Sequence, residues 1–148
     1  MTMMVRLLQL VSALSLAAVT AVSAATVELR QQGAAAADPI SAELGSVLDL
    51  EVIVDSEGEE ITGYVFYIAF EAGDFQPLLR TGDKGQQEPF LAREFLDGIS
   101  LINEVESFGG EVFLSFGLAA SGGGDQRQSA NGLGVAATFS LEVLRRPV

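Results

Sequence analysis

After residue 25 the chain consists of short runs in which apolar and polar residues alternate, separated by Gly, Asp and Ser, and helical periodicity is not evident. The clearest run extends from Val47 to Asp55. One face of it carries Leu48, Leu50, Val52 and Val54, and the other carries Asp49, Glu51, Ile53 and Asp55. A period of two is typical of an antiparallel strand with one face on the core and the other in solvent. The pattern therefore predicts an all-β fold.

Five further segments predict strands. They are Val27 to Arg30, Ile61 to Glu71, Ile99 to Val105, Glu111 to Gly117 and Leu133 to Leu144. The side chains expected to face the core are Tyr64, Phe66, Ile68, Phe70, Val112, Leu114, Phe116, Val135, Ala137, Phe139, Leu141 and Val143. A hairpin turn is expected over Glu106 to Gly110. The connection from Ala72 to Gly98 is long for a structureless loop, so it is expected to hold one short strand, and a helical turn is a further possibility there. The predicted architecture is a two-sheet antiparallel β-sandwich, with a barrel as the alternative.

The N-terminal segment, Met1 to Ala25, has the composition of a secretory signal peptide. Arg6 is its only charged residue, Leu7 to Val22 is apolar, and small residues follow. Cleavage is expected after Ala24 or Ala25, which leaves one domain over residues 26–148, secreted or held at the cell surface. A membrane anchor is the alternative, but the apolar run is shorter than the roughly 20 residues that a membrane span needs.

The charge balance restricts the class of partner. The chain has 8 basic and 20 acidic residues, a net charge of −12 at pH 7, and loss of Arg6 with the signal peptide would bring this to −13. A field of this sign repels phosphate backbones and anionic lipid, and it favours a basic or cation-bearing partner. Nucleic acid is therefore not an expected ligand, and no membrane span is expected after signal cleavage.

Residue usage argues against an enzyme. The chain contains no His and no Cys, so it lacks the commonest general base and the commonest zinc ligands. Two carboxylates could hydrolyse a glycosidic bond, but that reaction needs an aromatic cleft, and the chain has no Trp and only Tyr64 and Tyr67 as tyrosines. We expect a non-catalytic protein.

No cofactor is predicted. The acidic turn from Asp55 to Glu60 and the loop around Asp125 offer oxygen ligands that calcium prefers. Neither segment has the spacing of a twelve-residue calcium loop. A solvated turn is the preferred interpretation.

Two segments resemble cohesin domains. They are the alternating run from Ile61 to Glu71 and the closing segment Gly134-Val135-Ala136-Ala137-Thr138-Phe139-Ser140-Leu141-Glu142-Val143, and the order of the pieces between them is also similar. The resemblance implies a jelly-roll sandwich of about nine strands, related to bacterial cellulose-binding modules. It also implies that one sheet face binds a dockerin-type protein partner.

Strand parity indicates which face would bind. If Tyr64, Phe66, Ile68 and Phe70 fill the core, Val65 and Tyr67 must point outward, and the same argument places Phe113 outward on the next strand of the sheet. Glu71, Glu104 and Glu111 would surround this apolar patch. An apolar centre with a charged rim is typical of a protein interface. The alternative is that the connection from Ala72 to Gly98 covers the face with Phe90, Leu91 and Phe95.

Two other functions remain open at this point. The same fold could bind a polysaccharide, although flat carbohydrate-binding faces depend on rows of aromatic rings. The chain could also be a structural or adhesion domain of a longer surface protein.

Overall fold

The computed structural model describes residues 25–36, 38–82, 85–91, 94–96, 98–120 and 129–145. Within these residues the chain forms nine strands and no helix. The strands are β1 (Thr26–Gln31), β2 (Val47–Asp55), β3 (Gly63–Glu71), β4 (Phe75–Pro77), β5 (Arg80–Thr81), β6 (Gln87–Glu88), β7 (Ile99–Phe108), β8 (Glu111–Ala119) and β9 (Leu133–Val143). Nearly all of the predicted signal peptide, residues 1–24, and the loop at Asp125 lie outside the described residues.

The strands pair in antiparallel fashion throughout. Four of them form one sheet in the order β1-β2-β9-β4, and three form a second sheet in the order β3-β8-β7. β5 and β6 pair with each other as a short ribbon. The all-β prediction is confirmed, and β2 has the bounds that its alternation predicted.

One hydrophobic core contains residues from both sheets. Leu50 and Phe139 come from the four-stranded sheet, and Phe66 and Phe116 come from the three-stranded sheet, each no more than 1% exposed. Phe90, from the long connection, lies among them, with ring centroids 5.4 Å from Phe66, 5.2 Å from Phe116 and 5.3 Å from Phe139. Burial of these rings is the main source of stability in a chain that has no disulfide.

A β-bulge in β9 reverses the predicted inward and outward positions in the first part of that strand. The register of β2 with β9 steps from Val52–Ala137 to Ile53–Val135, so Ala136 has no cross-strand partner in β2. Because one extra residue reverses the faces on one side of a bulge, Val135 lies opposite Ile53 and outside the core cluster, and its predicted inward position is wrong. Ile53 was placed on a solvated face, yet it is only 5% exposed.

The predicted hairpin is longer than its sequence suggested. β7 continues to Phe108, so residues 106–108, which were assigned to the turn, belong to the strand. The turn itself is Gly109-Gly110, with φ angles of 64° and 91°. Two consecutive positive φ angles are the requirement of a tight hairpin turn that matches strand twist, and glycine adopts them without strain.

The long connection extends the four-stranded sheet beyond β4. The amide of Leu78 donates to the Ser140 carbonyl, Leu91 and Thr138 exchange two backbone hydrogen bonds, and the amide of Phe95 donates to Val135. The one short strand expected here is present as β4, and β5 and β6 are additional. The described residues contain no helical turn.

Asn103 on β7 joins this connection to the other sheet. Its side-chain oxygen accepts from the Phe90 amide at 3.2 Å, and its side-chain nitrogen donates to the Phe90 carbonyl at 3.0 Å. The side-chain amide of Asn103 thus satisfies the backbone N–H and C=O of Phe90, as a neighbouring strand would. Phe90 itself is 1% exposed. One side of the core is therefore covered by the connection, from β9 across to β7.

Candidate functional site

The candidate site is the face of the β3-β8-β7 sheet that points away from the core, called the outer face below. Its residues follow from the cross-strand register. Its four main rows consist of Val65, Tyr67, Ala69 and Glu71 on β3, Glu111, Phe113, Ser115 and Gly117 on β8, and Ile102, Glu104, Glu106 and Phe108 on β7. All six residues that the sequence singled out, Val65, Tyr67, Glu71, Glu104, Glu111 and Phe113, lie on this face.

The centre of the outer face is apolar and half-buried. Val65 and Ile102 lie on either side of Gly117, where an added Cβ would be 3.2 Å from the Val65 Cγ2 atom and 3.6 Å from the Ile102 Cβ atom. The two side chains therefore close over a residue that has none. Tyr67, in the next row, remains 38% exposed, and it lies opposite Ser115.

Four glutamates border this apolar centre on two sides, along β7 and at one end of the face, and none of the outer-face residues named above is lysine or arginine. Glu104 lies opposite Ser115, and Glu106 lies opposite Phe113. Glu71 and Glu111 are direct cross-strand partners. Like charges directly opposite on neighbouring strands are destabilising. Repulsion between Glu71 and Glu111 therefore destabilises this end of the face, and a cation or a basic side chain placed between them would reduce that repulsion.

The sequence missed three residues of the outer face: Ile102, Glu106 and Phe108. Ile102 has the same parity as Glu104, which the sequence placed on this face, and the register shift lies on the other side of it, between Ser100 and Ile102. Alternation traced back from Glu104 was therefore the signal that could have found Ile102. Glu106 and Phe108 were missed because they were assigned to the turn. Phe108 is 82% exposed. The consecutive glycines at 109 and 110 were the signal that could have extended the strand to Phe108.

The long connection does not cover the outer face with the residues proposed for that role. Phe90 and Phe95 belong to the core cluster, and Phe95 fills the space that a side chain at Gly134 in β9 would occupy, 2.7 Å from an added Cβ. Leu91 pairs with Thr138. The covered alternative is wrong for these three residues, because the connection follows the edge of β9 instead.

The acidic turn after β2 uses its polar atoms within the chain. A carboxylate oxygen of Asp55 accepts from the Glu57 amide at 2.8 Å, and the fully buried Ser56 side chain accepts from the Gly132 amide at 2.7 Å. The described residues contain no group of three or more Asp, Glu, His or Cys side chains placed to hold a metal.

Comparison with known proteins adds no relative: no family model, no curated protein and no solved structure matches the chain. Among the described residues, no helix is long and apolar enough to cross a membrane.

Proposed function

We propose that this chain is a secreted, non-catalytic binding module that holds a protein partner on the outer face. In this proposal residues 1–25 are a cleaved signal peptide and residues 26–148 are a cohesin-like domain at the cell surface or outside the cell. The two sheets are the layers of a β-sandwich with jelly-roll topology. The shared core supports the two-layer arrangement, and the cohesin resemblance is the basis for the topology.

The observation that carries the proposal is the combination of an apolar centre with a rim of one charge sign. Val65, Ile102 and Phe113 are half-buried, and Tyr67 and Phe108 are exposed. Protein interfaces commonly have an apolar core of this kind surrounded by polar residues. The glutamates of the rim favour a partner with lysine or arginine around an apolar surface. A dockerin-type partner is the one that the cohesin resemblance implies.

A polysaccharide is the second candidate, favoured by the arrangement of three aromatic residues. Tyr67 on β3, Phe113 on β8 and Phe108 on β7 lie on neighbouring strands, each one row further along the sheet than the last. Diagonal neighbours on one sheet face are about 7–8 Å apart. Such a line of rings could stack on sugar rings, and no calcium or other cofactor is required for it.

Affinity capture from the secreted proteins of the source organism tests the proposal. We expect the immobilised wild-type protein to retain a protein partner. Tyr67→Ala and Phe113→Ala should each weaken that binding by about 30-fold or more, as expected for exposed central residues of an interface. Glu43→Gln, on an exposed loop away from the face, is the matched control and should bind like the wild type.

The same variants separate the alternatives. If Tyr67 and Phe113 were covered, alanine would instead lower the free energy of unfolding by about 3–5 kcal/mol. A large fall in the melting temperature of both variants would contradict the binding face.

A pull-down on insoluble polysaccharide tests the second candidate. If the wild type is retained whatever the salt concentration and the same two variants are not, the ligand is a glycan. Turnover of a polysaccharide that disappears when one carboxylate is replaced would contradict the non-catalytic assignment.

A further inference from the structure

A second surface of interest is the edge of β3 that faces away from β8. β3 is the end strand of its sheet, and among the described residues only β8 pairs with it. Just before the strand begins, Ile61 exchanges two backbone hydrogen bonds with Ala130 on this same edge, so the unpaired stretch lies beyond that bridge. An unpaired strand edge presents a row of backbone donors and acceptors that another strand can join.

The hydrogen-bond pattern identifies the free backbone groups. Ala120 donates to the Thr62 carbonyl at 2.7 Å and Ala72 donates to the Gly110 carbonyl at 2.9 Å, one at each end of the β3–β8 ladder. Because hydrogen-bonded and non-hydrogen-bonded pairs alternate in an antiparallel ladder, the even-numbered residues of β3 bond to β8. The odd-numbered residues direct their N–H and C=O groups to the free edge. They are Gly63, Val65, Tyr67, Ala69 and Glu71.

β3 lacks the features that usually protect such an edge. Its sequence, GYVFYIAFE, has no proline, no lysine or arginine and one charge at its last residue. Its register with β8 contains no bulge. By contrast, the edge strand β7 contains a bulge at Leu101, and its residue Asn103 accepts a hydrogen bond from the Phe90 amide of the long connection. The edge strand β1 carries charged side chains, Arg30 and Glu28, which form an ion pair. Long, regular, apolar edges are those that pair with another chain.

We propose that β3 pairs with β3 of a second copy of this chain, antiparallel about a two-fold axis at Tyr67. In this register Tyr67 lies opposite Tyr67, Ala69 opposite Val65, and Glu71 opposite Gly63 of the second copy. In this register the hydrogen-bonded pairs are formed by odd-numbered residues, so the groups of Val65, Tyr67 and Ala69 that point to the edge find partners. No two charges are opposed within the nine residues. The two three-stranded sheets become one continuous sheet of six strands.

Net charge sets the salt dependence of this dimer. Each copy is strongly acidic, so two copies repel each other at long range. The screening length falls from about 10 Å at 0.1 M salt to about 3 Å at 1 M, and dimerisation should strengthen as salt is added. Binding of a basic partner to the glutamate rim should weaken instead. The dimer and the proposed partner therefore respond to salt with opposite sign, and either can fail without the other.

The first experiment measures the mass of the purified protein in solution by sedimentation, over a range of protein concentrations at low and high salt. We expect a monomer–dimer equilibrium that shifts to dimer with salt. Tyr67→Glu and Tyr67→Lys should each be monomeric, because like charges would meet at the axis. An equimolar mixture of the two should form a heterodimer. Phe113→Ala, on the same face but off the edge, is the control and should dimerise like the wild type.

A backbone variant tests the edge itself. Ala69→Pro removes an N–H that points to the free edge and none that bonds to β8, so the fold should be retained. It should weaken the dimer by about tenfold or more, because two symmetric hydrogen bonds are lost. If this variant does not fold, the Tyr67→Glu and Tyr67→Lys variants test the dimer without it.

Three outcomes would overturn the proposal. The wild type could remain monomeric at every concentration and salt level, or the mixed tyrosine variants could fail to associate. Amide hydrogen exchange gives the third: in dilute monomer, Val65, Tyr67 and Ala69 should exchange quickly while Phe66 and Ile68 are protected. Equal protection of both sets in the monomer would mean that the chain covers this edge itself.

Discussion

At the scale of the residue, the pair Glu71 and Glu111 is the clearest departure from what stability alone would select. The two glutamates belong to the odd-numbered, non-hydrogen-bonded positions of the β3–β8 ladder. In such pairs the Cα atoms are only about 4.5 Å apart and the side chains are close. Both are exposed, so water and salt reduce the repulsion without removing it. Function is one reason for a fold to keep such a pair.

Glu71→Gln should therefore stabilise the protein. Removing one of two opposed charges is expected to raise the free energy of unfolding by about 0.2–1 kcal/mol at low ionic strength, measured by urea denaturation. The gain should shrink in high salt because the repulsion is screened. Glu43→Gln removes an exposed charge that has no such partner in the sheet and serves as the control. An equal gain in both variants would indicate relief of net charge and not of this pair.

At the scale of the element, the sequence predicted regular strands well and bulges not at all. The bounds of β2 and the inward residues of β8 followed from alternation, because one-face burial fixes parity along an uninterrupted strand. Val135 could not be placed in this way, because the bulge at Ala136 depends on how β2 and β9, two strands distant in the sequence, align. The candidate site was predicted for β3 and β8, where the register is regular, and was incomplete for β7, part of which was assigned to the turn.

The bond between β7 and the long connection gives a prediction at this scale. Asn103→Ala would leave the N–H and C=O of Phe90 without their side-chain partner in a buried position. An unsatisfied buried backbone group costs about 1–3 kcal/mol, so we expect a comparable loss in the free energy of unfolding, measured by thermal or urea denaturation. Ser107→Ala, further along the same strand and exposed, is the control. No difference between the two variants would show that Phe90 keeps its position through ring packing alone.

At the scale of the whole molecule, the proposal of export is based on the composition of residues 1–25. The absence of cysteine is compatible with export, because burial of a hydrophobic core can stabilise an exported chain without disulfides. The core described above draws on both sheets and on the connection between β4 and β7. A mature domain of about 120 residues is large enough to be stabilised in this way. Its strong negative charge would also favour solubility outside the cell.

Export gives the prediction at this scale. The protein recovered from the culture medium should begin at Ala25 or Thr26, because the small residues before these positions fit the specificity of signal peptidase. Intact-mass measurement of the secreted protein checks this directly. A protein that stays with the membrane and keeps the mass of residues 1–25 would show instead that the segment is an anchor.

The position of β9 determines the order in which the chain can fold. β9 is the last strand of the described chain, yet it lies inside the four-stranded sheet, between β2 and β4. Val47 pairs with Glu142 and Asp55 pairs with Leu133, so the contacts of this sheet are non-local and cost loop-closure entropy before they stabilise anything. During synthesis, β2 has no neighbour but β1 until the residues of β9 have been made. The four-stranded sheet is therefore the last part of this fold that a nascent chain can complete, whereas the β3-β8-β7 sheet needs no residue of β9.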